Sequence, residues 1–205
     1  MRLSIVLLFL GGLALRLSGQ VDSIPPEQSL PLPPCAILAD EIDPFDSLRT
    51  VTSDQMELGA YMVSQYETAD GPRLVSEAKA AVLYSENDSL SVLFMHLEMP
   101  EYEVQNTDNG FNLKFKMASD TIVGFYTVTD RGTFSRTTNM RHYQHTALVP
   151  IDLYYLLTTD LVELLRVEYG DSFRRTILLT PEQRVQLREH FRCVGERVGY
   201  YPVAP

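Results

Sequence analysis

Phe111-Asn112-Leu113-Lys114-Phe115-Lys116-Met117 alternates apolar and polar residues without a break, as a strand with one face on a core and one in water requires. The polar cluster Ala118-Ser119-Asp120 follows, and Thr121 to Val128 is rich in β-branched and aromatic residues. The two runs read as a hairpin. Upstream, Lys79 to Tyr84 and Leu90 to Leu97 flank Ser85 to Ser89, residues whose side chains bond their own backbone in turns. They make a second hairpin. Its strands are apolar on both faces, which predicts a central position covered on each side. Pro100 and the stretch Asn106 to Gly110 break the link between the hairpins.

Outward from this core, Leu48 to Thr52 and Gln55 to Val63 read as strands, the second carrying Met56, Leu58, Ala60 and Met62 on one face. Glu67 to Pro72 is a polar loop, and Thr129 to Gln144 reads as the longest irregular loop. His145 to Asp152 is a further strand, placed at a sheet edge by Pro150. Thr158-Thr159-Asp160 is expected to cap a short helix through Leu165, and Arg166 to Tyr169 and Ser172 to Leu179 flank Gly170-Asp171 as a hairpin. Thr180-Pro181-Glu182-Gln183 then supplies an N-cap Thr, Pro at the first helical position and Gln at the third, a capping box. A helix to about Val194 is predicted, with Leu187, Phe191 and Val194 as its apolar stripe. The pattern is that of an α+β fold, a mostly antiparallel sheet of roughly six to nine strands built from hairpins, with C-terminal helices packed on one side.

The start of the chain sets the compartment. Met1-Arg2, the apolar run Leu3 to Leu15 and then Arg16 to Gly19 have the basic start, hydrophobic centre and small residues of a secretory signal peptide. The run is too short to span a bilayer, which takes roughly 20 residues. Cleavage after Gly19 leaves 205 less 19, or 186 residues, and removes Arg2 and Arg16, so the net charge moves from −10 to −12. Residues 20–47 read as a Pro-rich and then acidic strap, and 48–205 as one α+β domain, β-rich to about 150. The acidity argues against nucleic acid and against anionic lipid, both of which are bound through Lys and Arg.

Cys35 and Cys193 are the two cysteines. In an oxidising compartment they form a candidate disulfide closing a long loop, stabilising by roughly 4 to 5 kcal/mol in the chain-entropy model. The other reading is two unpaired buried thiols. On the predicted helix Cys193 lies away from the apolar stripe, which favours pairing with the N-terminal strap. Neither cysteine has a CxxC partner, so a zinc knuckle or redox catalysis is not expected. Cys35 also stands too far behind the hydrophobic run for lipidation.

Candidates for chemistry are sparse. Asp40, Glu41, Asp43 and Asp46 cluster without the spacing, Gly and distal Glu of an EF-hand loop, and read as a solvated, turn-forming run. His142 and His145 would share a helix face, where zinc could use them, but a strand sends them to opposite faces. His96 shares a face with Val92 and Phe94 and reads as a hydrogen-bonded core residue. His190 stands among Arg188, Glu189 and Arg192 on what reads as an exposed helix side. The Arg-rich loop Arg131 to Arg141, near Phe134 and Tyr143, is the one locally basic stretch, able to receive an acidic ligand or to balance nearby acids. No GxSxG elbow or phosphate-cradling glycine loop occurs, although sequence spacing leaves open a glycosidase-like carboxylate pair.

The chain start ending before Gln20, the acidic Asp40 to Asp46 lead-in and the tail from Tyr154 to Leu161 ending in a helix with Cys193 resemble the layout of uncharacterised secreted or periplasmic proteins of the Bacteroidota. The resemblance implies a periplasmic or extracellular location and supplies no activity. It also implies possible O-glycosylation at Asp-Ser/Thr-aliphatic triplets, which places Ser47, Ser89 and Thr121 as candidate sites. The expectation is an exported, non-enzymatic binding or interaction module with no catalytic, cofactor or metal residues, its partner a protein or a small ligand, no nucleic acid, and no integral membrane segment after cleavage. The alternative is a secreted hydrolase or metal-dependent enzyme.

Overall fold

The computed structural model describes residues 35–65, 71–170 and 173–200. The leader, the Pro-rich segment and most of the loop at 67–72 lie outside them. Eleven strands and two helices follow one another: β1 (Ile37–Ile42), β2 (Arg49–Ser53), β3 (Met56–Val63), β4 (Leu74–Glu86), β5 (Ser91–Glu101), β6 (Gly110–Met117), β7 (Ile122–Thr129), β8 (Thr133–Ser135), β9 (Met140–Val149), α1 (Ile151–Thr159), β10 (Val162–Glu168), β11 (Arg174–Leu178) and α2 (Pro181–Val198). The class is α+β, with a mostly antiparallel sheet. All described strands join one sheet in the order β1-β2-β4-β5-β9-β7-β6-β10-β11, with β3 beside the first half of β4 and β8 beside the start of β9.

Strand alternation gives this sheet one dry face. Leu113, Phe115 and Met117 of β6, Phe125 of β7, Met95 and Leu97 of β5 and Leu165 and Val167 of β10 are all buried. The sheet curls around them until β11 lies against β3, and α2 fills the enclosed side. Its stripe of Leu187, Phe191 and Val194 is at most 1% exposed. Phe191 sits among Met95, Phe115, Phe125 and Ala147, a burial that stabilises by about 2–3 kcal/mol. Gly195 lets α2 reach α1, since an added Cβ would collide with the Tyr154 phenol.

The capping box forms in full. The Gln183 N–H donates to the Thr180 hydroxyl at 3.3 Å, and the Thr180 N–H donates to Gln183 Oε1 at 3.1 Å. Gln183 does more: Oε1 also accepts from the Gly59 N–H at 3.2 Å, and Nε2 donates to the Gly59 carbonyl at 2.9 Å. Gly59 stands at a bulge where the β3–β4 register slips between Leu58 and Tyr61, with φ of 74°. A side chain there would strain the backbone and meet Glu77 and Ile177.

Several sequence expectations are corrected. The slip at Gly59 ends the alternation proposed for Met56 to Met62, leaving Ala60 exposed. On β4 and β5 the second face is half-buried, with Leu83, Phe94 and His96 on it, in place of a covered one. Pro100 lies within β5, opposite His142, past the point where the β4 ladder ends at Glu98; with β5 one-sided there, a missing donor is tolerated. The supposed irregular loop 129–144 holds β8 and half of β9, and β9 runs between β5 and β7 instead of along an edge. Pro150 ends β9 by capping α1. Thr158 and Thr159 close that helix, and the segment expected to be helical continues as β10. One helix is C-terminal; the other precedes the last two strands.

Candidate functional site

Two polar groupings and one apolar corner stand out among the described residues. The first grouping gathers where α2 crosses the loop between β2 and β3. Asp54 occupies that loop, and its backbone N–H donates to the Ala36 carbonyl at 2.8 Å while the Ala36 N–H donates back to Asp54 Oδ1 at 3.1 Å. This exchange holds Cys35 beside Asp54. Lower down α2, His190 is 1% exposed, with Nδ1 at 2.9 Å from the Gln186 carbonyl oxygen. Its Nε2 comes to 3.1 Å from Asp54 Oδ1 but out of line for a hydrogen bond, and has no other hydrogen-bond partner. Cys35 Sγ, an Asp54 oxygen and a His190 ring nitrogen lie within 4.8 Å of one another. Cys193, one turn beyond His190, donates from Sγ to the Cys35 carbonyl oxygen at 3.5 Å.

Both thiols are free. Burial, with the adjacent Cys193 thiol and the Asp54 carboxylate adding to it, pushes the Cys35 thiol well above its usual range. His190 was expected on an exposed face; packing of α2 into the curled sheet buries it. The signal that could have found it is the spacing of three to Cys193, which puts the two side chains on neighbouring turns.

The second grouping joins β4, β5 and β11. Glu101, 3% exposed, accepts from the Tyr169 hydroxyl at 3.1 Å and from Arg175 at 3.0 Å. Arg175 also donates to the Pro100 carbonyl at 3.2 Å and to Glu77 at 3.4 Å. Burial raises the Glu101 carboxyl above its ordinary value even so. Glu77 and Glu101 share one guanidinium, which makes the grouping a clamp between strands.

Of the histidines singled out by sequence, His142 and His145 point to opposite faces of β9. His142 Nδ1 meets Glu98 at 2.7 Å on the half-buried side. His145 is buried against the Thr129 hydroxyl, at 3.1 Å, and burial lowers it to about 4. Facing opposite ways, with Glu98 beside His142 alone, the two imidazoles do not converge. His96 lies on the half-buried face, not in the core, and burial lowers its basicity. In the Arg-rich stretch, Arg141 donates to the Arg131 and Gly132 carbonyls, fixing β8 to β9. The acidic run is partly structural: Asp40 is lowered to about 2, chiefly by Arg49 at 2.9 Å, with Arg197 of α2 also bonded to it. Asp43 and Asp46 accept from the turn amides of Phe45 and Leu48. Ser47, Ser89 and Thr121 are exposed on the β1–β2, β4–β5 and β6–β7 turns.

The apolar corner lies where α1 leaves the end of β9. A pocket of about 850 Å³ is walled by Val92 and Phe94 of β5, Leu148 of β9, Ile151 and Tyr155 of α1, and Tyr200. Its described polar side chains are hydroxyls alone, those of Ser91, Tyr154, Tyr155 and Tyr200. Burial pushes the Tyr154 phenol up to about 12, so it stays neutral. No helix among the described residues is long and apolar enough to cross a membrane. Comparison with protein-family models, curated proteins and solved structures gives no match.

Proposed function

We propose that the chain is an exported binding module whose ligand is a small, largely apolar molecule seated in the α1 corner. The observation that supports this reading is the corner itself: its volume falls in the range of roughly 300–1,000 Å³ usual for small-molecule sites, and aliphatic and aromatic side chains line it with a few hydroxyls. The hydroxyls give orientation to a ligand bearing one polar end. A hydrolase needs a general base within reach of its substrate, and the described lining holds no carboxylate, imidazole or thiol. The lining therefore favours retention of a ligand over its conversion.

Fluorescence titration with an anilinonaphthalene dye tests this. Leu148, 42% exposed on the pocket wall, can be enlarged without touching the core. The Leu148→Trp chain is expected to bind the dye at least about tenfold more weakly, a change of about 1.4 kcal/mol, at unchanged melting temperature. Equal affinity in both chains overturns the assignment.

A further inference from the structure

We infer that Cys35, Asp54 and His190, closed by Cys193, form a zinc site that fastens the start of the sheet to the last helix. The inference does not depend on the α1 corner, with which it shares no residue.

The donor set is a mixed thiolate, imidazole and carboxylate one, and structural zinc takes four such ligands in a tetrahedron whose edges are about 3.5 Å. Three donor atoms already stand within 4.8 Å of one another, with 3.1 Å between the Asp54 oxygen and His190 Nε2. The orientation of His190 carries the inference furthest. Its Nδ1 faces the Gln186 carbonyl, the hydrogen bond that fixes the tautomer of a metal-bound imidazole and turns the Nε2 lone pair to the ion. That Nε2 is buried and without a hydrogen-bond partner, 3.1 Å from Asp54 Oδ1 and beside the Cys35 thiol. A divalent cation between Asp54 Oδ1 and His190 Nε2 would bond both at the separation they already have. Asp54 is held in place by Ala36, and its side chain is 41% exposed, which gives an ion a path inward. Cys193 is on the neighbouring turn of the same helix and already touches residue 35.

Binding moves no electrons. Zinc forms bonds to both sulfurs, one oxygen and one nitrogen, and each thiol releases its proton to solvent. A disulfide between the same cysteines would instead need an oxidant and would remove both donors.

The test is titration of the reduced, full chain with zinc alone, read by native mass spectrometry and by melting temperature, with Co²⁺ as the spectroscopic probe. One zinc per chain, about two protons released, a raised melting temperature and a thiolate-to-cobalt charge-transfer band are expected. His190→Ala and Cys35→Ser should each weaken uptake at least about a hundredfold, within the range for losing a ligand set or its orientation. Should His190→Ala misfold, Asp54→Asn at a part-exposed position gives the same reading. Absence of zinc uptake by the folded, reduced chain overturns the inference, as does uptake that all three substitutions leave unchanged. So does a chain isolated from its native compartment two mass units light, with Cys35 and Cys193 joined.

Discussion

The two polar groupings, one where α2 meets the β2–β3 loop and one joining β4, β5 and β11, are equally dry at their centres and differ in completeness. Around Glu101 every charge has an opposite partner: Arg175 spans Glu101 and Glu77, and Tyr169 donates a third bond. Around His190 the Nε2 atom lies 3.1 Å from Asp54 Oδ1, out of line for a hydrogen bond, with the Cys35 thiol alongside. The first network holds strands together, whereas the second gathers sulfur, oxygen and nitrogen donors, the set on which the zinc proposal rests. Burial alone does not separate the two; the hydrogen bond missing at His190 Nε2 does.

The largest expected effect is at the Glu101 grouping. Arg175→Met leaves the Glu101 carboxylate buried without its cation, and removing one member of such a pair costs about 3–5 kcal/mol. Urea unfolding measures it, and a loss below about 1 kcal/mol would mean that water reaches Glu101. Next in size is a pH effect from His145, which packs edge to face on Tyr169 at 5.5 Å. Its folded value of about 4 lies below the ordinary 6.5, so the native state binds fewer protons than the unfolded one. Stability is full above pH 6.5 and falls as the pH drops toward 4, by about 3 kcal/mol over that window. His145→Leu should flatten this part of the curve of unfolding free energy against pH; an unchanged slope assigns it to other groups. The smallest effect belongs to the His190 grouping. Asp54→Asn should alter metal-free stability by less than about 1 kcal/mol, as a part-exposed polar exchange does, while abolishing the zinc-induced rise in melting temperature. A large metal-free loss would recast Asp54 as a plain structural partner of His190.

The parts of this fold that were legible are those whose signal is local. Alternation in Leu113, Phe115 and Met117, and the Thr180–Gln183 cap, depend on neighbours within four residues, and both read directly from the chain. The segment around Tyr154 takes no assignment from sequence because α1 carries Leu153, Tyr154, Tyr155, Leu156 and Leu157 in a row, so that no period of 3.6 emerges. Pro150 misled for a related reason: ending a strand and starting a helix use the same fixed φ. The group of Cys35, Asp54, His190 and Cys193 was illegible as a cluster. Cys35 lies 158 positions before Cys193, and only sheet curling and α2 docking bring them together. His190 was hidden by charged neighbours at 188, 189 and 192, which solvate the opposite flank of the helix.

The Gln183 side chain has a consequence for cooperativity. One amide oxygen serves both the helix cap and the Gly59 amide, and its nitrogen holds the Gly59 carbonyl. Peeling the first turn of α2 from the sheet therefore breaks the cap and unseats the bulge in the same movement. The helix start cannot fray privately, as a solvent-facing end does; its opening is tied to that of β3, more than a hundred residues earlier in the chain.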